Sequence, residues 1–341
     1  MQSEQWNALL KAARGERLPK PPVGLIVDTP WIPGFLGIST VDYITIPEVW
    51  MNANLAVMRQ FPEVIFLPGF WAEPGMAAEP SAYGCKVQFS DAQPPSIRPL
   101  ADDISAVESI EPANPRQDGL MPMVLSFYKN VLPRVRAEGM EIRIVAARGP
   151  LALASHLIGV TGFLIAMKTE PEKTHKLLKT ATATVKAWLE AQREVTGAEG
   201  ILVLDDVVGF LSKEDYLEFA HPYLKDIFST PAAVKIYHND NEGSTCYEFL
   251  HDAGVDIFNF THLHPISEVR QKVGDSVCLL GNIPPRDVLA LGTAEQSAAA
   301  AKTCIQENKG HPRFILSAGG GASPGTKGEN VRAMIYAASG K

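Results

Sequence analysis

The sequence has no cluster of five or more basic residues, so it offers no patch for a nucleic-acid backbone. No apolar run approaches the roughly 18–20 residues that cross a bilayer. The opening "MQSEQWNALLKAARGERLP" lacks the apolar stretch of a signal peptide. A cytoplasmic protein with neither a membrane span nor a nucleic-acid partner is therefore expected. Cysteine is scarce: the four residues Cys85, Cys246, Cys278 and Cys304 form no CxxC pair, which excludes a disulfide framework and a finger-type zinc spacing. Internal repeats and low-complexity tracts are also missing.

What is present suits a packed enzyme. Apolar residues make up 46% of the 341, charged residues 20%, and the formal charge of −7 serves solubility. Eight short apolar runs recur along the chain, at 23–28, 63–67, 141–147, 200–206, 233–238, 255–260, 276–281 and 313–317. They are continuous rather than alternating, as parallel strands covered on both faces require. Helical patterns at 43–60, 118–138, 171–196, 213–228, 244–253, 265–273, 285–290 with 294–308, and 328–338 fall between or after them. Eight strand-then-helix units predict an α/β fold, a (β/α)8 TIM barrel spanning residues 1–341. A doubly wound sheet competes, but no Gly-rich dinucleotide fingerprint follows the first strand. Residues 68–117, rich in proline, glycine and acids, break the repeat after the second strand and read as an insertion or lid, with "KVQFS" as a small hairpin strand.

Barrels place their chemistry at the C-terminal ends of strands. Those ends carry Asp28, Arg148, Asp205 with Asp206, His238 with Asp240, Thr261 with His262, Asn282, and Ser317 through Gly321. In "YHNDNEGSTC" (237–246), His238 and Asp240 are two residues apart and face one side of an extended segment. Both are metal-ligand types; a catalytic site takes a third ligand, for which His262 and His264 in "THLHP" are the nearest candidates. A hydrogen-bonded turn is the competing reading. Of Asp205 and Asp206, one faces the mouth as a general base or substrate ligand and the other faces the flanking helix. "SAGGGASPG" (317–325), with Gly319 and Gly320, is suited to cradling an anion on backbone N–H groups.

"GNIPPRDVLALGT" (281–293), "ARGPLALASHLIG" (147–159), "DDVVGFLSKEDYLEFAHPYLKDI" (205–227) and "ILSAGGGASPGTKGENVRAMIYAA" (315–338) resemble the uroporphyrinogen decarboxylase superfamily over nearly the whole chain. The resemblance implies a (β/α)8 barrel. It also separates two branches. True decarboxylases of this family carry an arginine-rich RQAGR-type motif near the N-terminus; here that region reads "VGLIVDTPWIPGFLGIS", and "MRQF" (58–61) lies in a predicted helix. The sequence is closer to the cobalamin-dependent methyltransferases. "AEPSAYGCKVQFSDAQPPSI" (78–97) resembles their E-A-x-x-x-G-x-x-V segment, with Glu79 at the acid.

In that branch zinc is held by HxC on the fifth strand and a cysteine after the eighth. Here His238 is retained, Asp240 stands at the first cysteine position and Gly320 at the second; Cys246 is off-register. The resemblance thus implies Asp205, Asp206, His238 and Asp240 as catalytic residues. Asp28, Glu79, Arg148, Asn282, Gly319 and Gly320 are the implied substrate-binding residues, and His238, Asp240 and His262 hold zinc or another divalent metal. The implied partners are a corrinoid protein carrying methylcobalamin and a small-molecule substrate, and barrels of this type often pair as homodimers. Two alternatives stand beside this reading: a lyase acting on a smaller acid through Arg148 and the Asp205/Asp206 pair, and a non-catalytic ligand- or corrinoid-binding member.

Overall fold

The computed structural model of the chain describes residues 1–27, 29 and 31–340, so the expected Asp28 lies outside the described residues. Ten strands form: β1 (Val23–Ile26), β2 (Val64–Leu67), β3 (Lys86–Gln88), β4 (Ser96–Arg98), β5 (Ile144–Arg148), β6 (Gly200–Leu204), β7 (Val234–Asn239), β8 (Ile257–Phe260), β9 (Cys278–Ile283) and β10 (Phe314–Ala318). Eight make one parallel sheet in the order β2-β1-β10-β9-β8-β7-β6-β5, and β3 pairs antiparallel with β4. The sheet curls into a (β/α)8 TIM barrel, and each of the eight predicted runs supplies one of its strands. Among the described residues no ladder joins β2 to β5; the barrel has a seam there.

Two apolar cores follow from the period of two along each strand. Inward-facing residues such as Ile65, Ile144, Leu202, Ile236, Ile257, Leu280 and Ile315 fill the barrel. Outward-facing residues such as Val64, Val145, Val203, Tyr237, Phe258, Leu279 and Leu316 pack against the surrounding helices. The lower end of the barrel is stoppered by helix Ser3–Arg14, whose Trp6, Leu9, Ala12 and Ala13 join the interior core. That helix is fixed to the rim by Gln5 Nε2 donating to Pro62 O and Val64 O at 3.0 Å, and by the Arg313 guanidinium donating to Ala13 O.

Several helices depart from the predicted boundaries. The 43–60 pattern is two helices, Thr40–Thr45 and Pro47–Gln60, because Pro47 has no N–H to continue the first and starts the second. The 213–228 pattern holds a wide π turn at Tyr216–Ala220, just before Pro222. Helices Trp31–Leu36, Pro150–Ile158 and Val160–Thr169 were not anticipated. No single helix among the described residues is long and apolar enough to cross a membrane.

Candidate functional site

The C-terminal mouth is built largely from the loops that leave the strand ends. After β6 the chain reaches Asp205 and Asp206, and the pleat sends their side chains to opposite sides. Asp205 turns out of the mouth. Its carboxylate accepts the N–H groups of Leu151 and Ala152 at 2.9 Å each, so it caps helix Pro150–Ile158 from a neighbouring strand. A Cβ at Gly149 would collide with this carboxylate, which accounts for glycine in "RGP". Complete burial pushes the Asp205 carboxyl up to about 8, against the pull of those two donors.

Asp206 enters the mouth. Its Oδ1 accepts the Asp240 N–H at 3.2 Å and lies 3.6 Å from His238 Nε2. Half its side chain is exposed; desolvation raises its carboxyl and the His238 ring draws it back. Asp240 Oδ2 is 3.9 Å from the same Nε2. Ligand atoms of Asp206, His238 and Asp240 thus lie within 4.8 Å of one another. Close packing holds this arrangement: side chains at Gly209 or Gly243 would clash where the two loops cross, and a Cβ at Gly320 would meet the Asp240 carboxylate. Gly320 has φ +121°, a conformation that favours glycine. The Asp240 carboxylate therefore occupies the space a side chain at position 320 would take.

The anticipated third ligand is elsewhere. His262 does not belong to the trio; its backbone packs against Gly319, where a Cβ would lie 2.6 Å from the His262 nitrogen. His264 Nε2 is 2.6 Å from the Glu242 carbonyl. Asn282 Nδ2 donates to Thr261 O at 3.1 Å and His264 O at 2.7 Å, bracing the loop after β8.

Across the mouth, Arg148 and Glu79 close the seam. The Arg148 N–H, at the edge of β5, donates to Glu79 Oε1 at 2.8 Å, while its Nε donates to Met76 O at 2.6 Å. Glu73 lies beside Glu79 and accepts the Ala78 N–H at 3.0 Å. Burial first, then the neighbouring Glu79 charge, raises the Glu73 carboxyl well above its usual range. The start of the inserted segment thus replaces the missing ladder with side-chain bonds.

Asn259 and Glu73 were not anticipated. Asn259 carried a legible signal: it is the polar residue inside the apolar end "IFNF" of the run, and it lies buried with its oxygen 2.7 Å from His238 Nδ1. Glu73 carried none, being one acid among several in a long loop.

Residues 5–340 match the model of the uroporphyrinogen decarboxylase (URO-D) family. The chain belongs to that family. A methylated-thiol–coenzyme M methyltransferase of Methanosarcina mazei is 27% identical over 268 residues, covering 77% of this chain and 70% of that protein. A uroporphyrinogen decarboxylase of Thermus thermophilus is 28% identical over 352 residues, covering 96% of each. Among solved structures, a methyltransferase from Methanosarcina mazei superposes with a TM-score of 0.83 at 22% identity over 98% of both chains. A B12-independent methionine synthase from Shewanella sp. W3-18-1 reaches 0.60 at 9% identity, covering 94% of this chain and 96% of that one. These structural likenesses concern the fold. Methyltransferases and decarboxylases both occur among the relatives in this family.

Proposed function

We propose that the chain is a URO-D-family methyltransferase that moves a methyl group between a corrinoid carried by a partner protein and a small acceptor or donor. Its mouth would use Asp206, His238 and Asp240 to hold zinc or another divalent cation. The observation that carries the reading is the convergence of these three ligand atoms within 4.8 Å at the mouth of this barrel. Two carboxylates and an imidazole form a hard donor set with room for a fourth, exchangeable ligand. A cation bound there would act as a Lewis acid on a substrate oxygen.

The chain's own groups do the positioning. The Asp206 carboxylate takes the Asp240 N–H and so fixes one loop against the other. Arg148 is held by carbonyls of the inserted segment, so it orders the seam rather than offering a free guanidinium to a carboxylate substrate. Exposed Phe210 and Leu263, on loops following β6 and β8, give the rim apolar contacts suited to a docking partner.

Donor chemistry narrows the substrate. Without thiolate ligands the site favours oxygen-bearing compounds over activation of a thiol. The test is elemental analysis of protein purified without chelator, followed by methyl transfer from methylcobalamin or a methylated corrinoid protein to thiols, folates and methoxylated compounds. About one divalent ion per chain and turnover with an oxygen-bearing compound are expected. Absence of transfer with every compound would overturn the reading. The lyase alternative draws on the Thermus thermophilus relative; carbon dioxide release from a small-acid panel would favour it.

A further inference from the structure

We infer that Asn259 is a positioning residue that selects which ring nitrogen of His238 carries a proton, and so presents the other to a cation. The inference rests on the cation site proposed above. Asn259 is fully buried on β8, so water does not compete for its amide. Its Nδ2 donates to Leu280 O at 2.7 Å and to Ala318 O at 3.1 Å, carbonyls of β9 and β10. Both amide hydrogens are thereby used. Turning the amide over would set its oxygen against two carbonyl oxygens, so the orientation is determined by chemistry.

The amide oxygen is then left facing His238 Nδ1 at 2.7 Å. An acceptor at that distance requires an N–H opposite, which places the proton on Nδ1. In the neutral ring Nε2 holds the lone pair, and Nε2 is the atom 3.6 Å from Asp206 and 3.9 Å from Asp240. The backbone of two further strands therefore dictates, through one amide, the tautomer of a histidine on a third. An amide also differs from the carboxylate that often fills this role: it orients the ring without adding a charge to a mouth that already holds two acids.

The test reads the tautomer directly. Protein carrying 15N-histidine, free of metal and at a pH where the ring is neutral, is examined by two-bond 1H–15N correlation, with His238→Gln assigning the signal. The wild type is expected as the Nδ1–H tautomer. Asn259→Leu is expected to move the signal to Nε2–H or to a mixture, and to weaken Zn2+ binding in a chelator competition by about 10–100-fold. The wild-type spectrum decides the assignment by itself if the leucine variant does not fold. An Nε2–H wild type, or a leucine variant with unchanged tautomer and Zn2+ affinity, would overturn the assignment. A chain that binds no Zn2+ yet shows the expected spectra would retire the cation site while leaving the role of Asn259 standing.

Discussion

On the β6–β7 side of the mouth, Asp206 and Asp240 keep 50% and 40% of their side chains exposed beside His238. On the β2–β5 side, Glu73 and Glu79 are buried beside Arg148. The ingredients are alike, two acids and one nitrogen base, and the outcomes are opposite. In the buried set the Arg148 charge stands beside the two acids, and the Ala78 and Arg148 N–H groups each bind one carboxyl oxygen. The exposed set gathers two acids around one imidazole. The first arrangement holds structure together, and the second is the one proposed above to take a cation.

The largest expected effect breaks the buried side. Arg148→Met removes the positive charge beside the buried pair Glu73 and Glu79 and strands the Met76 carbonyl, and should destabilise the fold by about 3–5 kcal/mol, read by urea unfolding. Next, His238→Ala should lower Zn2+ affinity by on the order of 100-fold or more, since the imidazole is the sole nitrogen ligand of the trio. Its stability in the absence of metal should change far less than that of the Arg148 variant. In the wild type, Zn2+ at about 100 times its Kd should add roughly 2.7 kcal/mol of stability, an increment that Asp206→Asn and Asp240→Asn remove.

A smaller effect depends on pH. Glu73 titrates far higher in the folded chain than its ordinary value of 4.5, so its contribution is fully present below about 4.5 and lost as pH rises toward the folded value. Glu73→Gln keeps a neutral hydrogen-bond donor without a titrating proton. The variant should therefore gain stability relative to wild type as pH is raised from about 5 to 8, measured by paired denaturation curves. A flat difference across that range would show that Glu73 is not held protonated. Smallest of all, His262→Ala should leave Zn2+ stoichiometry unchanged, because its ring is not in the trio.

The barrel was legible because doubly covered parallel strands must be almost purely apolar, and each run such as "ILVL" or "VCLL" declares itself without its neighbours. Helix Pro150–Ile158 hid for the same reason: with "PLALASHLI" buried nearly all round, it has no polar face to reveal a helical period. Ser3–Arg14 is amphipathic, yet nothing local says that its apolar face plugs a barrel. At the site, the two-residue spacing of His238 and Asp240 was readable, since period two is a local property. The choice between Asp205 and Asp206 was not, because it depends on where β6 ends and on the bare N–H groups of a helix about fifty residues earlier. His262, expected beside this pair, lies outside the trio, where Asp206 stands instead, for a related reason: nearness after one strand end says little about which loop leans inward.

The seam between β2 and β5 has a final implication. A ring of strands stitched all the way round is held by main-chain pairings, whereas across this seam the described residues are joined by side-chain bonds, among them Arg148 with Glu79 and the Met76 carbonyl, and Tyr128 with the Ala72 N–H. That flank is thus the part of the rim whose integrity rests on side chains, laced instead of woven.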